Sequence, residues 1–247
     1  MHVLTLSLDT SSPSGSVAIL RDEITLGVIS TRAEENYSSR IFRHLEFLLG
    51  DLTLKLADFD LFAVSAGPGS FTGLRVGLTA AKGWAEVYRK HVVGVSALEA
   101  VAYQTRGHVC VLVPALDARR GQIYFGVYRP AAAGLALDGE EFVVTPEEFA
   151  EKLGALSHSG DNDGARGGGH GEFAIVTPDA SVVAVVSRLT SNLAAGFAGL
   201  EIVSSVLAPS IGRIAHARAL RGDVSDALTL DANYVRRTDA EMRWKDG

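Results

Sequence analysis

The chain lays down three short extended segments in succession before its first helix, and it does so twice. Residues 3–9 alternate apolar and polar side chains, and the run Thr10-Ser11-Ser12-Pro13-Ser14-Gly15 supplies turn chemistry. Two more extended segments follow at 16–20 and 24–30, and then Ile41, Leu45, Leu48 and Leu49 repeat at helical spacing. A strand over 59–65, a glycine-rich turn, a helix over 72–88, a strand over 91–95 and a helix from Ser96 complete the first half. The second half restates the order. Strands are expected at 109–116, 122–129 and 140–144, Pro146 opens a helix, a strand follows at 173–176, and helices run around 182–193 and 209–220. Residues 157–171, rich in glycine, read as a loop, and 228–237 as a final strand. A doubly wound dinucleotide fold would alternate strand and helix from the start. The pattern predicts two similar α/β lobes instead, one formed by 1–106 with about 222–247, the other by 107–221 including the loop 157–171.

Composition removes several functions. A formal charge of −6, with basic residues gathered no further than doublets such as Arg119-Arg120 and Arg236-Arg237, argues against a chain that grips a phosphate backbone unaided. The single Cys110, in the apolar run 109–113, cannot form an internal disulfide or a zinc cluster and reads as a buried strand residue. The histidines at 2, 44, 91, 108, 158, 170 and 216 include no pair four apart, and no His-Glu-x-x-His occurs, so no metal site is expected. No 18-residue apolar stretch and no leader-like start are present, which makes the cytoplasm the expected location and a membrane an unexpected partner.

The sharpest local feature is the turn Gly67-Pro68-Gly69-Ser70-Phe71-Thr72-Gly73, set between an apolar strand and a helix with Ser70 or Thr72 as N-cap. Glycines there allow close approach of a ligand or of another segment, and a helix start favours anions. The run is neither Gly-x4-Gly-Lys-Ser/Thr nor Gly-x-Gly-x-x-Gly, so a tight structural turn and a ligand loop both remain open. Along the next helix Gly73, Gly77 and Ala81 form a smooth ridge where another helix can come close, either from within this chain or from a partner. Arg75, Leu78, Thr79 and Lys82 make a second, mixed face. Asp9 and Asp117 each end the first strand of a lobe. Each caps a turn or places a carboxylate for a magnesium-bound nucleotide; the glycine-poor followers Thr10-Ser11-Ser12 and Ala118-Arg119-Arg120 disfavour the second role.

Several runs resemble the TsaB (YeaZ) family: Ala66 through Gly77, Ala80-Ala81-Lys82-Gly83, Val93 through Leu98, Leu6 through Ser11, Leu116 through Tyr124, and Asn233-Tyr234-Val235-Arg236. The resemblance implies an actin-like (ASKHA, ribonuclease-H-like) α/β fold of two lobes with mixed sheets. It implies a non-catalytic scaffold for the threonylcarbamoyladenosine (t6A) modification, in which a threonylcarbamoyl group is transferred to N6 of an adenosine in tRNAs reading codons that start with A. The implied partners are a TsaD-like catalytic paralogue and a TsaE-like ATPase, with tRNA met only through the complex and a homodimer when the chain is alone. No cofactor is implied. The expected partner interface is Ser38, Ile41, Phe42 and Leu45 with Arg75, Leu78, Thr79 and Lys82, and Asp9, Thr10, Asp117 and Arg119 are the expected vestige of a nucleotide site. Ala97 and Val101 stand where the paralogue carries metal-binding histidines. An ASKHA ATPase or kinase and a glycoprotease-like peptidase are the alternatives.

Overall fold

A computed structural model describes residues 2–32, 37–105, 111–158, 172–189, 196–225, 227, 229–233 and 235, without the side chains of 37–39, 157 and 158. The expectations for Cys110, for 159–171 of the glycine-rich loop and for the side chain of Ser38 lie outside the described residues. In chain order the elements are β1 (Leu4–Asp9), β2 (Ser16–Arg21), β3 (Ile24–Ser30), α1 (Tyr37–Asp51), β4 (Leu61–Gly67), α2 (Phe71–Tyr88), β5 (His91–Ser96) and α3 (Ala97–Ala102). They continue as β6 (Val111–Asp117), β7 (Ile123–Phe125), β8 (Tyr128–Ala131), β9 (Gly134–Leu137), β10 (Phe142–Val144), α4 (Pro146–His158), β11 (Phe173–Thr177), α5 (Ala180–Leu189), β12 (Phe197–Ile202) and α6 (Ala208–Leu220).

The chain divides into two units. Unit one holds Met1–Ala100 and Val206–Tyr234, and unit two holds Val101–Ser205 with Val235–Gly247. The sheet of unit one has the order β3-β2-β1-β4-β5, and that of unit two has β10-β7-β6-β11-β12, the same order with β8 and β9 added beside β6. β1 is antiparallel to β2 and parallel to β4, and β6 is likewise antiparallel to β7 and parallel to β11. This strand order is that of an actin-like, ribonuclease-H-like α/β fold.

Strand alternation decides the layers of unit one. Leu6, Leu8, Val17 and Ile19 face a core shared with Ile41, Leu45 and Leu48 of α1 and Leu74, Leu78, Ala81 and Ala85 of α2. On the opposite face, Ser7 Oγ donates to the Ala208 carbonyl at 2.7 Å and Ser16 Oγ accepts from the Ala208 amide at 3.1 Å. Gly212 lets α6 lie so close that a Cβ there would collide with Leu20. Helix α6 therefore belongs to the first sheet, which corrects the expected lobe boundary at residue 222. The amphipathic pattern of α6 says that it packs, but not on which sheet.

Three further expectations need correction. The segment 122–129 is two strands, broken at Gly126, which has the Tyr128 ring pressed against its Cα side. Ser157 and His158 end α4 rather than begin a loop. The described part of 228–237 is not a strand, and it folds back onto β4, β5 and α2 as detailed below. The core of unit two gathers around Phe125, whose ring stacks on Phe142 at 5.3 Å and meets Phe149 edge-on at 5.0 Å.

Candidate functional site

The glycine-rich turn is a seat for the chain's own first loop. Ser70 caps α2, its Oγ accepting from the Gly73 amide at 3.3 Å, and its amide donates to the Ser11 carbonyl at 2.7 Å. A Cβ at Gly69 would collide with the Ser11 carbonyl, one at Gly73 with the Thr10 carbonyl, and one at Gly77 with Thr10 Oγ1. The loop between β1 and β2 thus rests directly on the backbone of the first turns of α2. Gly73, Gly77 and Ala81 are all buried within unit one, so the small-residue ridge is filled internally and is not a partner face. Four amides at this turn are already engaged. Ser11 N donates to Asp9 Oδ1, Ser70 N to Ser11, Gly73 N to Ser70 Oγ, and Leu74 N to the Ser70 carbonyl.

The expected interface residues separate into two groups. Ile41, Leu45 and Leu78 lie in the core at 4–7% exposure, and the Lys82 ammonium turns inward to the Leu230 carbonyl at 2.8 Å. These four are corrected to structural roles, because the side of each helix that faces the sheet claims them. Phe42, Arg75 and Thr79 are exposed. Arg75 lays its guanidinium over the Phe71 ring, 3.8 Å from the centroid, and Phe42 meets Trp84 edge-on at 6.2 Å. Counted by fours from Phe71, the outer stripe of α2 is Phe71, Arg75, Thr79, Gly83 and Val87, all exposed. Val87 is 72% exposed, and a Cβ on Gly83 would meet nothing within 4 Å. Sequence reasoning missed Gly83, Trp84 and Val87. The four-residue count that found the glycine ridge, started at Phe71 instead, picks out Gly83 and Val87.

The two strand-end aspartates form the same turn in different surroundings. Asp9 is fully buried, and its Oδ1 accepts from the Ser11 amide at 2.9 Å and the Ser11 hydroxyl at 2.6 Å. Burial pushes its carboxyl up to about 6 against the pull of those two hydrogen bonds. Asp9 Oδ2, Thr10 Oγ1 and Ser12 Oγ are buried without a hydrogen-bond partner among the described residues. In unit two, Asp117 Oδ1 accepts from the Arg119 amide at 2.7 Å. Arg119, Arg120 and Gly121 are all left-handed, at φ 64°, 54° and 74°, with both arginines exposed. Asp9 with Thr10 and Asp117 with Arg119 thus stand in different units.

For a magnesium-bound nucleotide, unit one offers the buried Asp9 carboxyl but no free amide at Ser11, Ser70, Gly73 or Leu74. Ala97 and Val101 of α3 are fully buried, and neither carries an atom that ligates a metal. Between them Glu99 accepts from Arg218 Nη2 at 2.6 Å, while Nη1 of the same arginine donates to the Gly94 carbonyl. Among the described residues, no three His, Cys, Asp or Glu side chains are grouped to hold a metal ion, and no helix is long and apolar enough to cross a membrane.

Fold and site together define the class: an actin-like α/β protein with a closed strand-end turn and an outward aromatic and small-residue face on α1 and α2. Residues 18–197 match the family model described as TsaD, tRNA N6-adenosine threonylcarbamoyltransferase. The chain is 36% identical over 124 residues to the tRNA threonylcarbamoyladenosine biosynthesis protein TsaB of Bacillus subtilis, covering 50% of this chain and 54% of that one. Against the Escherichia coli protein of the same description it is 32% identical over 159 residues, covering 62% and 67%. A Pseudomonas aeruginosa crystal structure, described as an uncharacterized protein with similarity to peptidase YEAZ, superposes with a TM-score of 0.72 at 22% identity, over 95% of this chain and 100% of that one. This chain belongs to the TsaB (YeaZ) family. The match spans about half the length of the Bacillus relative.

Proposed function

We propose that this chain is a non-catalytic docking subunit that binds a TsaD-like paralogue through the outer face of α1 and α2 and so supports threonylcarbamoyl transfer to tRNA in the cytoplasm. The observation that carries the reading is the exposed stripe Phe71, Arg75, Thr79, Gly83 and Val87, flanked by Phe42 on Trp84. A glycine inside a helix costs about 1 kcal/mol against alanine. Gly83 has open space in place of a side chain, so nothing among the described residues accounts for it, and close approach by a second helix does. Exposed aromatics with an arginine beside them are the residue types that anchor protein interfaces.

The closed turn and the apolar Ala97 and Val101 support a supporting role over a chemical one. The acidic chain meets tRNA through its partner, with a TsaE-like ATPase completing the assembly. Without that partner, two copies pair through the same face.

The test is reconstitution on unmodified tRNA with purified TsaD-like paralogue and its companions. Omission of this chain is expected to abolish t6A formation. Arg75→Glu with Val87→Asp is expected to abolish both co-elution with the paralogue and self-association while leaving the thermal transition in place. Full complex formation by that folded double variant overturns the assignment of the face, and undiminished modification without the chain overturns the role.

A further inference from the structure

We infer that the C-terminal segment 229–233 is a positioning strap for α2 and the glycine-rich turn, and so for the docking face; the last step rests on the function proposed above. The segment enters unit one at three points. Leu230 is 7% exposed and joins the main core of that unit. Its carbonyl takes the Lys82 ammonium at 2.8 Å, and the Asn233 amide donates to the Ala66 carbonyl at 2.7 Å, at the end of β4.

The body of the unit is hollowed to receive it. A Cβ on Gly94 of β5 would stand 2.6 Å from Leu230 Cδ1. One on Gly67 would stand 2.8 Å from the Asn233 carbonyl oxygen, and Gly67 also holds a φ of 108° that side chains resist. Two glycines in adjacent strands thus leave room for the same five residues. The turn 67–70 is consequently held from both sides, by Ser11 through the Ser70 amide and by Asn233 on Ala66 and Gly67. Lys82 is three residues from Thr79 and one from Gly83 of the outer stripe, so its inward bond fixes the rotation of α2 about its axis. A helix face that docks by close approach needs that rotation held, because freedom there raises the ordering cost of binding.

Full-length Lys82→Met keeps the aliphatic stem and removes the donor, Gly94→Ala displaces Leu230 by a separate route, and Lys82→Arg restores a donor. Hydrogen exchange of the isolated chain is expected to quicken roughly tenfold or more over 229–233 and over 67–74 in the first two variants and to recover in the third. Affinity for the TsaD-like paralogue is expected to fall in parallel, by roughly tenfold. Exchange at 67–74 that stays slow while 229–233 is released overturns the strap. So does paralogue affinity that stays within about twofold of wild type in both releasing variants. A wild-type chain that fails to bind the paralogue overturns the docking function instead, and the exchange result then decides the strap by itself.

Discussion

Units one and two share a strand order, yet they join the end of the first strand to the helix that follows its parallel neighbour (β1 to α2, β6 to α5) by different chemistry. In unit one the carbonyls of Thr10 and Ser11 lie on the bare backbone of Gly69 and Gly73, and Asp9 turns inward to its own loop. In unit two the join is a side chain. Asp179, at the start of α5, accepts from the Asp117 amide at 2.8 Å, while the arginine loop stands outward. Strand order thus leaves the seat of the helix undecided. Backbone-on-glycine contact brings α2 in close and commits its inner face, whereas in unit two a carboxylate makes the join. The unit with the glycine seat is also the one whose helix turns the stripe Phe71, Arg75, Thr79, Gly83 and Val87 outward.

The largest expected effect breaks the glycine seat. Gly73→Val sets a branched side chain against the Thr10 carbonyl, and with backbone on both sides it should cost about 3 kcal/mol or more, read as a lowered denaturation midpoint. A midpoint unchanged by Gly73→Val would show that the seat in unit one is loose.

Next in size is Asp9→Asn, which keeps the acceptor for Ser11 and removes the buried charge. The folded-state value of about 6 lies above the ordinary 3.8, so the native state binds the proton more tightly than the unfolded chain. That stabilisation is complete below about pH 4 and is lost as pH rises through 6. Asp9→Asn should therefore raise stability by about 2–3 kcal/mol at pH 8 and by little at pH 4, as measured by urea unfolding at the two pH values. An equal effect at both pH values would remove burial as the cause.

The comparison is sharpened by Asp179→Ala, which leaves the Asp117 amide without its carboxylate and should cost about 1–2 kcal/mol. A cost matching that of Gly73→Val would mean that the two joins differ in chemistry but not in tightness.

The smallest effect has two signs. Gly83→Ala should stabilise the isolated chain by up to about 1 kcal/mol and weaken the paralogue complex, read by calorimetry on each. Tighter binding by Gly83→Ala would place the partner elsewhere.

Much of this was legible in the chain. Alternation at 3–9 and 16–20, the helical spacing of Ile41, Leu45 and Leu48, the Ser70 cap and the Pro146 helix start all reappear as built elements, because each depends on neighbours within a few residues. The proposed docking face was legible only in part. Phe42, Arg75 and Thr79 are outward as expected, but Leu78 and Lys82 turn inward, since a helix shows the same spacing whichever way it is rotated against its sheet. The strands Gly134–Leu137 and Phe197–Ile202 went unread; the first is four residues long and opens on glycine, and the second carries Gly199 within it.

By itself, the sequence determined the run of strands that precedes the first helix of each unit, the likeness to the TsaB family and the positions of the bare glycines. Only the tertiary structure decided what fills those glycines: the chain's own Thr10, Ser11, Leu230 and Asn233, arriving from nearly its two ends. It also decided that α6 covers the first sheet. The reason is physical. A missing side chain states that something comes near, but which segment comes is fixed by long-range packing, and local spacing carries no record of that.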